Sequence, residues 1–357
     1  MLGRENKLAG KMAEKKDDLR LLRYLDALVE DLRKLVPRAT KDREIKAVHD
    51  ARVATRRLTA AMELLESVLS GKARKPFEKV LRLLRRRLSA QRDLDVMLEH
   101  LAKMKLPPRQ AQGNALGPAV QWMIGRFEKA RVKSAEKAAA DLPGAKVSSK
   151  LAAWWGVRQE IVAAIEVGGT NLVQSLLVES IHLQLDEFAE AAAQIGVEGT
   201  DPHQLRIAGK SLRYTLEMAR EQGSLSSRGA SSRPVLAAFK RIQTALGLWH
   251  DYVVLTERIL CESAEQQLAH HDPAKQQALL KLAALMLRRG QHQLGKVSDF
   301  WRGDGPALIE RIRSAFPLTR PVVEVVQTAQ EQPMSHEEQG ATALTEGEGH
   351  EKEKLSQ

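Results

Sequence analysis

Apolar residues recur at spacings of three and four along most of the chain, the period that buries one stripe of an α-helix. The pattern predicts helices over roughly 17–36, 46–70, 76–104, 115–141, 171–195, 202–222, 234–270 and 274–299. A short helix over 150–166 surrounds Trp154 and Trp155, which we assign to packing between the two halves of the chain. Helix breakers separate these stretches: Pro107-Pro108, Pro143-Gly144, Gly168-Gly169, Gly196 to Pro202, and the Ser/Gly-rich run Gly223 to Ser232. Aromatic residues make up only 4% of the chain, whereas Leu, Ala, Lys, Arg and Glu dominate, which favours helices over sheets. The expected fold is all-α.

The second half repeats the first. His49-x-x-Arg52-Val53-Ala54-x-Arg56-x-Leu58 recurs as His203-x-x-Arg206-Ile207-Ala208-x-Lys210-x-Leu212, at a shift of 154 residues. A second block follows in the same order: Lys75-Pro76, Arg82, Leu88, Asp93 and Val96 match Arg233-Pro234, Lys240, Leu246, Asp251 and Val254 at a shift of 158. Two blocks in one order at nearly one shift mark an internal duplication. Four helices per copy predict two antiparallel four-helix bundles, repeat one over about 17–168 and repeat two over about 169–317.

Charge adds a direction to this picture. The chain carries a formal +11, but residues 318–357 hold eight Glu against two Lys and one Arg, so the body before them is near +16. That body predicts a polyanionic partner, whether nucleic acid, an anionic membrane surface or a phosphate polymer. The tail lacks apolar periodicity and reads as a disordered acidic segment, and residues 1–16 as a flexible basic one. Neither the amino terminus nor any internal run has the apolar length of a signal or spanning helix. Cys261 is the only cysteine, which excludes an internal disulfide and a cysteine-rich zinc site and fits a reducing cytoplasm.

On a helical wheel Arg52, Arg56, Thr59 and Glu63 fall within about 80° of His49, with Leu58, Met62 and Leu65 opposite. In the second copy His203, Arg206, Lys210, Arg213 and Tyr214 share the polar face. Lys79, Arg82 and Arg86 extend the theme on the next helix, with Lys240 as the second copy's counterpart and Gln243 replacing Arg85. A cationic helix face is ordinarily just a solvated one. Solvated faces usually mix signs, however, whereas here glutamates come only toward the far ends of the stripes. Like charges repelling at helical spacing in two copies point to an anion that offsets the repulsion.

Other chemistry is sparse. Asp93 and Asp95 could ligate a metal, but orienting neighbouring arginines is the simpler role, and His270-His271-Asp272 reads as a helix end. No Walker loop, Gly-x-Ser-x-Gly elbow or His-Glu-x-x-His pair occurs. No enzymatic activity, metal or cofactor is expected; a metal-dependent phosphoryl-transfer enzyme using His49 or His203 is the least favoured alternative.

The duplicated blocks resemble the conserved-histidine α-helical domain (CHAD) family. The resemblance rests on Val48-His49-Asp50-x-Arg52-Val53-Ala54-x-Arg56-Arg57-Leu58 and on His203-Gln204-Leu205-Arg206-Ile207-Ala208-Gly209-Lys210-x-Leu212-Arg213-Tyr214 with Glu217. Arg92-Asp93-Leu94-Asp95-Val96 and Leu246-Gly247-x-x-x-Asp251 match its second pair of motifs, and the likeness spans about 17–317. It implies two pseudo-symmetric bundles around a basic central cleft or pore, and binding of inorganic polyphosphate, with some relatives found at polyphosphate granules. Carried over by position, it nominates His49, Arg52, Arg56, Arg57, His203, Arg206, Lys210 and Arg213 as phosphate contacts. Lys79, Arg82, Arg86 and Lys240 join them from the wheel. Two departures, Ser89 in place of a frequent Gly and His250 in place of a frequent Asn, are expected to affect helix packing more than the anion site. Many relatives carry an amino-terminal triphosphate-tunnel barrel, but only about 16 residues precede the helices and no Glu-x-Glu-x-Lys motif occurs, so a standalone domain is expected. Nucleic acid remains a second candidate partner; membranes are not expected.

Overall fold

A computed structural model describes residues 19–104, 116–169, 171–195, 201–223, 232–270 and 272–318. The expected basic amino terminus and the acidic tail beyond Leu318 lie outside the described residues, as do Pro107-Pro108, His271 and most of the Ser/Gly-rich run. Among the described residues every regular element is a helix, and none is long and apolar enough to cross a membrane by itself.

Four helices form the first copy: α1 Arg20–Thr40, α2 Ile45–Leu64, α3 Gly71–Ala102 and α4 Leu116–Asp141. Two shorter ones, α5 Gly144–Leu151 and α6 Trp154–Gly168, lead to the second copy. That copy comprises α7 Leu172–Ala193, α8 Pro202–Gln222, α9 Ser232–His270 and α10 Pro273–Gly303, and α11 Gly305–Ala315 follows it. The third helix is the longest of each copy, so α3 extends about 48 Å and α9 about 58 Å at 1.5 Å per residue.

Local chemistry sets several ends. Asp201 caps α8 by accepting from the His203 backbone N–H at 2.9 Å, with Pro202 in the first turn where its missing N–H costs nothing. Gly223 ends α8 in the left-handed region at φ 84°, which a side chain would disfavour. Asp272 caps α10 through the Lys275 N–H at 3.0 Å and α9 stops at His270, so both lie at helix ends as expected. Pro76 does not start α3: the helix begins five residues earlier because the Ser70 hydroxyl accepts from the Ala73 N–H and donates to Glu160. Helix α11, with Pro306 in its first turn, is an addition to the expected set.

Buried apolar residues form two clusters, and neither coincides with one repeat. The first joins α1, α2 and the start of α3 (Phe77, Leu81, Leu84, Leu88) to α7, α8 and the start of α9 (Phe239, Ile242, Leu246). The second joins the end of α3 (Leu94, Met97, Leu101) and α4 to the distal part of α9 (Leu255, Ile259) and α10. A pair of self-contained bundles would give each copy its own core; here both long helices run through both cores. The stretches of α3 and α9 between the clusters are where Arg92-Asp93 and His250-Asp251 fall.

Trp154 makes its ring contact and its hydrogen bond inside repeat one, within the cluster that joins both halves. Its ring lies 5.3 Å from Phe77 of α3 and its indole N–H donates to Asp26 of α1 at 2.7 Å, both within repeat one. Trp155 is exposed, with the Arg158 guanidinium 5.7 Å from its ring.

Candidate functional site

The His/Arg block rides on α2 and α8, the Arg/Asp block on α3 and α9, and all four helices open onto one cleft of about 460 Å³. Six cations line it: Arg52, Arg56, Arg92, Arg206, Lys210 and Arg213. His49, His250, Tyr214, Asp93 and Asp251 complete the polar wall. Contributions from the copies correspond by position, Arg52 with Arg206, Arg56 with Lys210, Asp93 with Asp251 and Val96 with Val254. Each copy therefore supplies half of a site that neither holds alone.

The buried Arg52 and its half-buried counterpart Arg206 are held differently. Arg52 donates from Nη1 to the Arg85 carbonyl at 3.0 Å and to the Ser89 hydroxyl, and its Nη2 stands 4.0 Å from Asp93. Gly247 occupies the position of Ser89 in the second copy, so Arg206 lacks that hydroxyl, and its buried Nε has no partner. The buried Gln243 Nε2, also at the cleft, is without one too. Gln243 reaches inward only because Gly209 faces it; a Cβ on Gly209 would collide with that Nε2. The first copy has Thr55 and Arg85 at these positions, and Arg85 is exposed. The departures Ser89 and His250 thus bear on the cleft as well as on helix packing: Ser89 holds Arg52 and His250 lines the cleft.

Crowding of like charge marks the electrostatics. Burial and Arg56 push the Lys210 ammonium down to about 7, and burial with Arg206 pushes His250 down to about 4. Arg52 is lowered to about 10 by burial and then by Arg56, and Arg206 is lowered chiefly by burial. His49 still reaches solvent, yet desolvation and the Arg92 guanidinium hold it below the usual histidine value. Asp93, half-open to solvent, is raised by burial despite Arg52 and Arg56, with Asp251 adding to the rise. An anion in the cleft would relieve the repulsion on every cation there.

Of the residues nominated from the sequence, His49, Arg52, Arg56, Arg206, Lys210 and Arg213 meet at the cleft. Arg57 does not: its Nε donates to Glu217 at 2.9 Å, and the other Glu217 oxygen accepts from Arg213 at 2.9 Å. Glu217, placed on the wheel as a far-end charge, clamps α2 to α8 instead. His203 lies just outside, its ring 5.8 Å from that of His250. Lys79, Arg82, Arg86 and Lys240 are exposed and do not line the cleft, because a wheel assigns a face but not the neighbour that covers it. Arg92, His250 and Asp251 were the residues missed as contacts. The Arg92-Asp93 and His250-Asp251 pairs, in register at the shift of 158, were the signal for them. Asp95 has the orienting role expected of it, pairing with Arg131 of α4 at 2.5 Å.

A duplicated all-helical body with a cation-lined cleft between its copies defines the class of protein. The family model described as the CHAD domain matches residues 23–260, and the chain belongs to the CHAD family. Its fold is similar to the crystal structure of the CHAD domain from the plant Ricinus communis, with a TM-score of 0.55 at 20% identity, covering 84% of this chain and 91% of that one. No curated protein matches the chain in sequence.

Proposed function

We propose that the protein is a non-catalytic holder of inorganic polyphosphate, which binds in the cleft between α2, α3, α8 and α9. One observation carries this reading: six Lys and Arg side chains from both copies converge there against only two aspartates. The unmet donors of Arg206 and Gln243 support it, as does the depressed Lys210, since each gains from a multivalent anion. Opposed cationic walls suit a flexible chain with charge on every unit, and binding by counterion release makes affinity fall steeply with salt. Tyr214 is the only Phe, Trp or Tyr lining the cleft, which gives little surface for base stacking and favours a phosphate polymer over nucleic acid. A reducing cytoplasm, with polyphosphate granules as one place of action, fits the lone Cys261.

Calorimetric titration of long-chain polyphosphate into the wild type and into Arg56→Gln/Lys210→Gln tests the proposal, with circular dichroism confirming the fold. We expect low-salt binding by the wild type and a loss of roughly tenfold to a hundredfold in the variant, on the scale of two charge-assisted contacts. Absence of wild-type binding at low salt would reject the reading. A single-stranded nucleic acid that outcompetes polyphosphate at equal phosphate concentration would replace the ligand.

A further inference from the structure

The four cations Lys79, Arg82, Arg85 and Arg86 stand on α3, outside the cleft but in line with it. Helical spacing puts Lys79, Arg86 and Asp93 on one stripe and Arg82, Arg85, Ser89 and Arg92 on the next. Asp93 and Arg92 line the cleft, and the Arg85 carbonyl and Ser89 hydroxyl hold Arg52 at its wall. All four cations are exposed, and none forms an ion pair among the described residues. Acidic groups also lie beside the stripe, Glu63 near Arg85 and Glu78 one turn before Arg82. Arg74 occupies both Glu66 and Glu78, and burial raises the Glu63 carboxyl even though Arg85 opposes the rise. From Lys79 to Arg92 the stripe covers about 20 Å of helix.

The second copy has no equivalent. At the shift of 158 the four positions hold Ala237, Lys240, Gln243 and Thr244, one cation in place of four. The duplicated cleft thus continues into a basic track on one side only.

From this juxtaposition we propose that a polyphosphate chain longer than the cleft leaves it over α3 of the first copy, so that Lys79, Arg82, Arg85 and Arg86 form an outer subsite selecting for chain length. This deepens the cleft reading and rests on it. A short oligophosphate is satisfied by the cleft cations, whereas a long chain also neutralises the track and releases its counterions.

The test titrates tripolyphosphate and long-chain polyphosphate into the wild type, into Lys79→Gln/Arg82→Gln/Arg86→Gln, and into the control Lys281→Gln/Arg288→Gln/Lys296→Gln. The control removes three exposed cations of α10 that lie off the track. The track variant should lose roughly tenfold in affinity for the long chain while tripolyphosphate binding stays within about twofold, the scale of three solvent-exposed contacts. Its salt slope for the long chain should fall by about 2. Unchanged long-chain binding, equal losses for both ligands, or an equal loss in the control would overturn the track. In each of those results wild-type binding survives, so the cleft reading stands; a wild type that binds neither ligand brings down both.

Discussion

Lys210 reports the cleft's chemistry most directly, because its ammonium is held near 7 by burial and by the neighbouring Arg56 and Arg206. A polyanion favours the charged form, so binding at pH 8 should draw a proton onto Lys210, and affinity should fall as pH rises above 7. The protein by itself behaves in the opposite sense. Its unfolded chain holds the lysine proton up to about pH 10, so from about 7 to 10 the unfolded state carries more protons and folding stability gains with pH. Titrations in two buffers of different ionisation enthalpy measure the uptake. Lys210→Arg, which stays charged throughout, should bind with a much flatter pH profile over that window. Equal uptake in variant and wild type would remove Lys210 from the linkage. None of this was legible from the lysine alone; position 210 showed a cation in phase with Arg206, but its depressed affinity for protons comes from burial and from Arg56 of the other copy.

Between elements, the decisive contact is Glu217, which accepts from Arg57 of α2 and from Arg213 of its own α8, both at 2.9 Å. Glu217→Gln would leave two half-buried guanidiniums facing each other beside an already cationic cleft. We expect it to cost about 1–3 kcal/mol in urea unfolding, the range for a hydrogen-bonded ion pair that loses one partner. A loss below about 0.5 kcal/mol would mean that the pair is merely a surface contact. Helix positions were readable because the 3.6 period and the breakers are local. The true start of α3 was not, since Glu160, 90 residues away, fixes the Ser70 cap. The same limit explains the wheel's mixed result: it put Arg52 and Lys79 on cationic faces alike, and only packing shows that one is buried in a cleft and the other exposed.

Taken as a whole, the molecule places its duplication and its cores out of register. The sequence repeats once, which suggests two bundles, but apolar faces choose partners by shape and area rather than by ancestry. Thus Phe77 and Leu81 of the first copy share a cluster with Phe188 and Phe239 of the second, while Leu94 and Met97 share another with Leu255 and Leu279. The cleft lies where the clusters meet, so a wall from each copy is a consequence of this crossing. A fragment of residues 19–168 would keep α1 to α6 but uncover the faces of α2 and α3 that the second copy buries. We therefore expect the full chain to unfold in one cooperative transition by both far-ultraviolet and near-ultraviolet circular dichroism, and the fragment to lose near-ultraviolet signal and cooperativity while retaining helix. A fragment with its own sharp transition would show that each copy has a sufficient core. Long-chain polyphosphate should then shift the midpoint of the whole chain and leave the fragment unchanged, because ligand stabilises only a fold that holds both walls of the cleft.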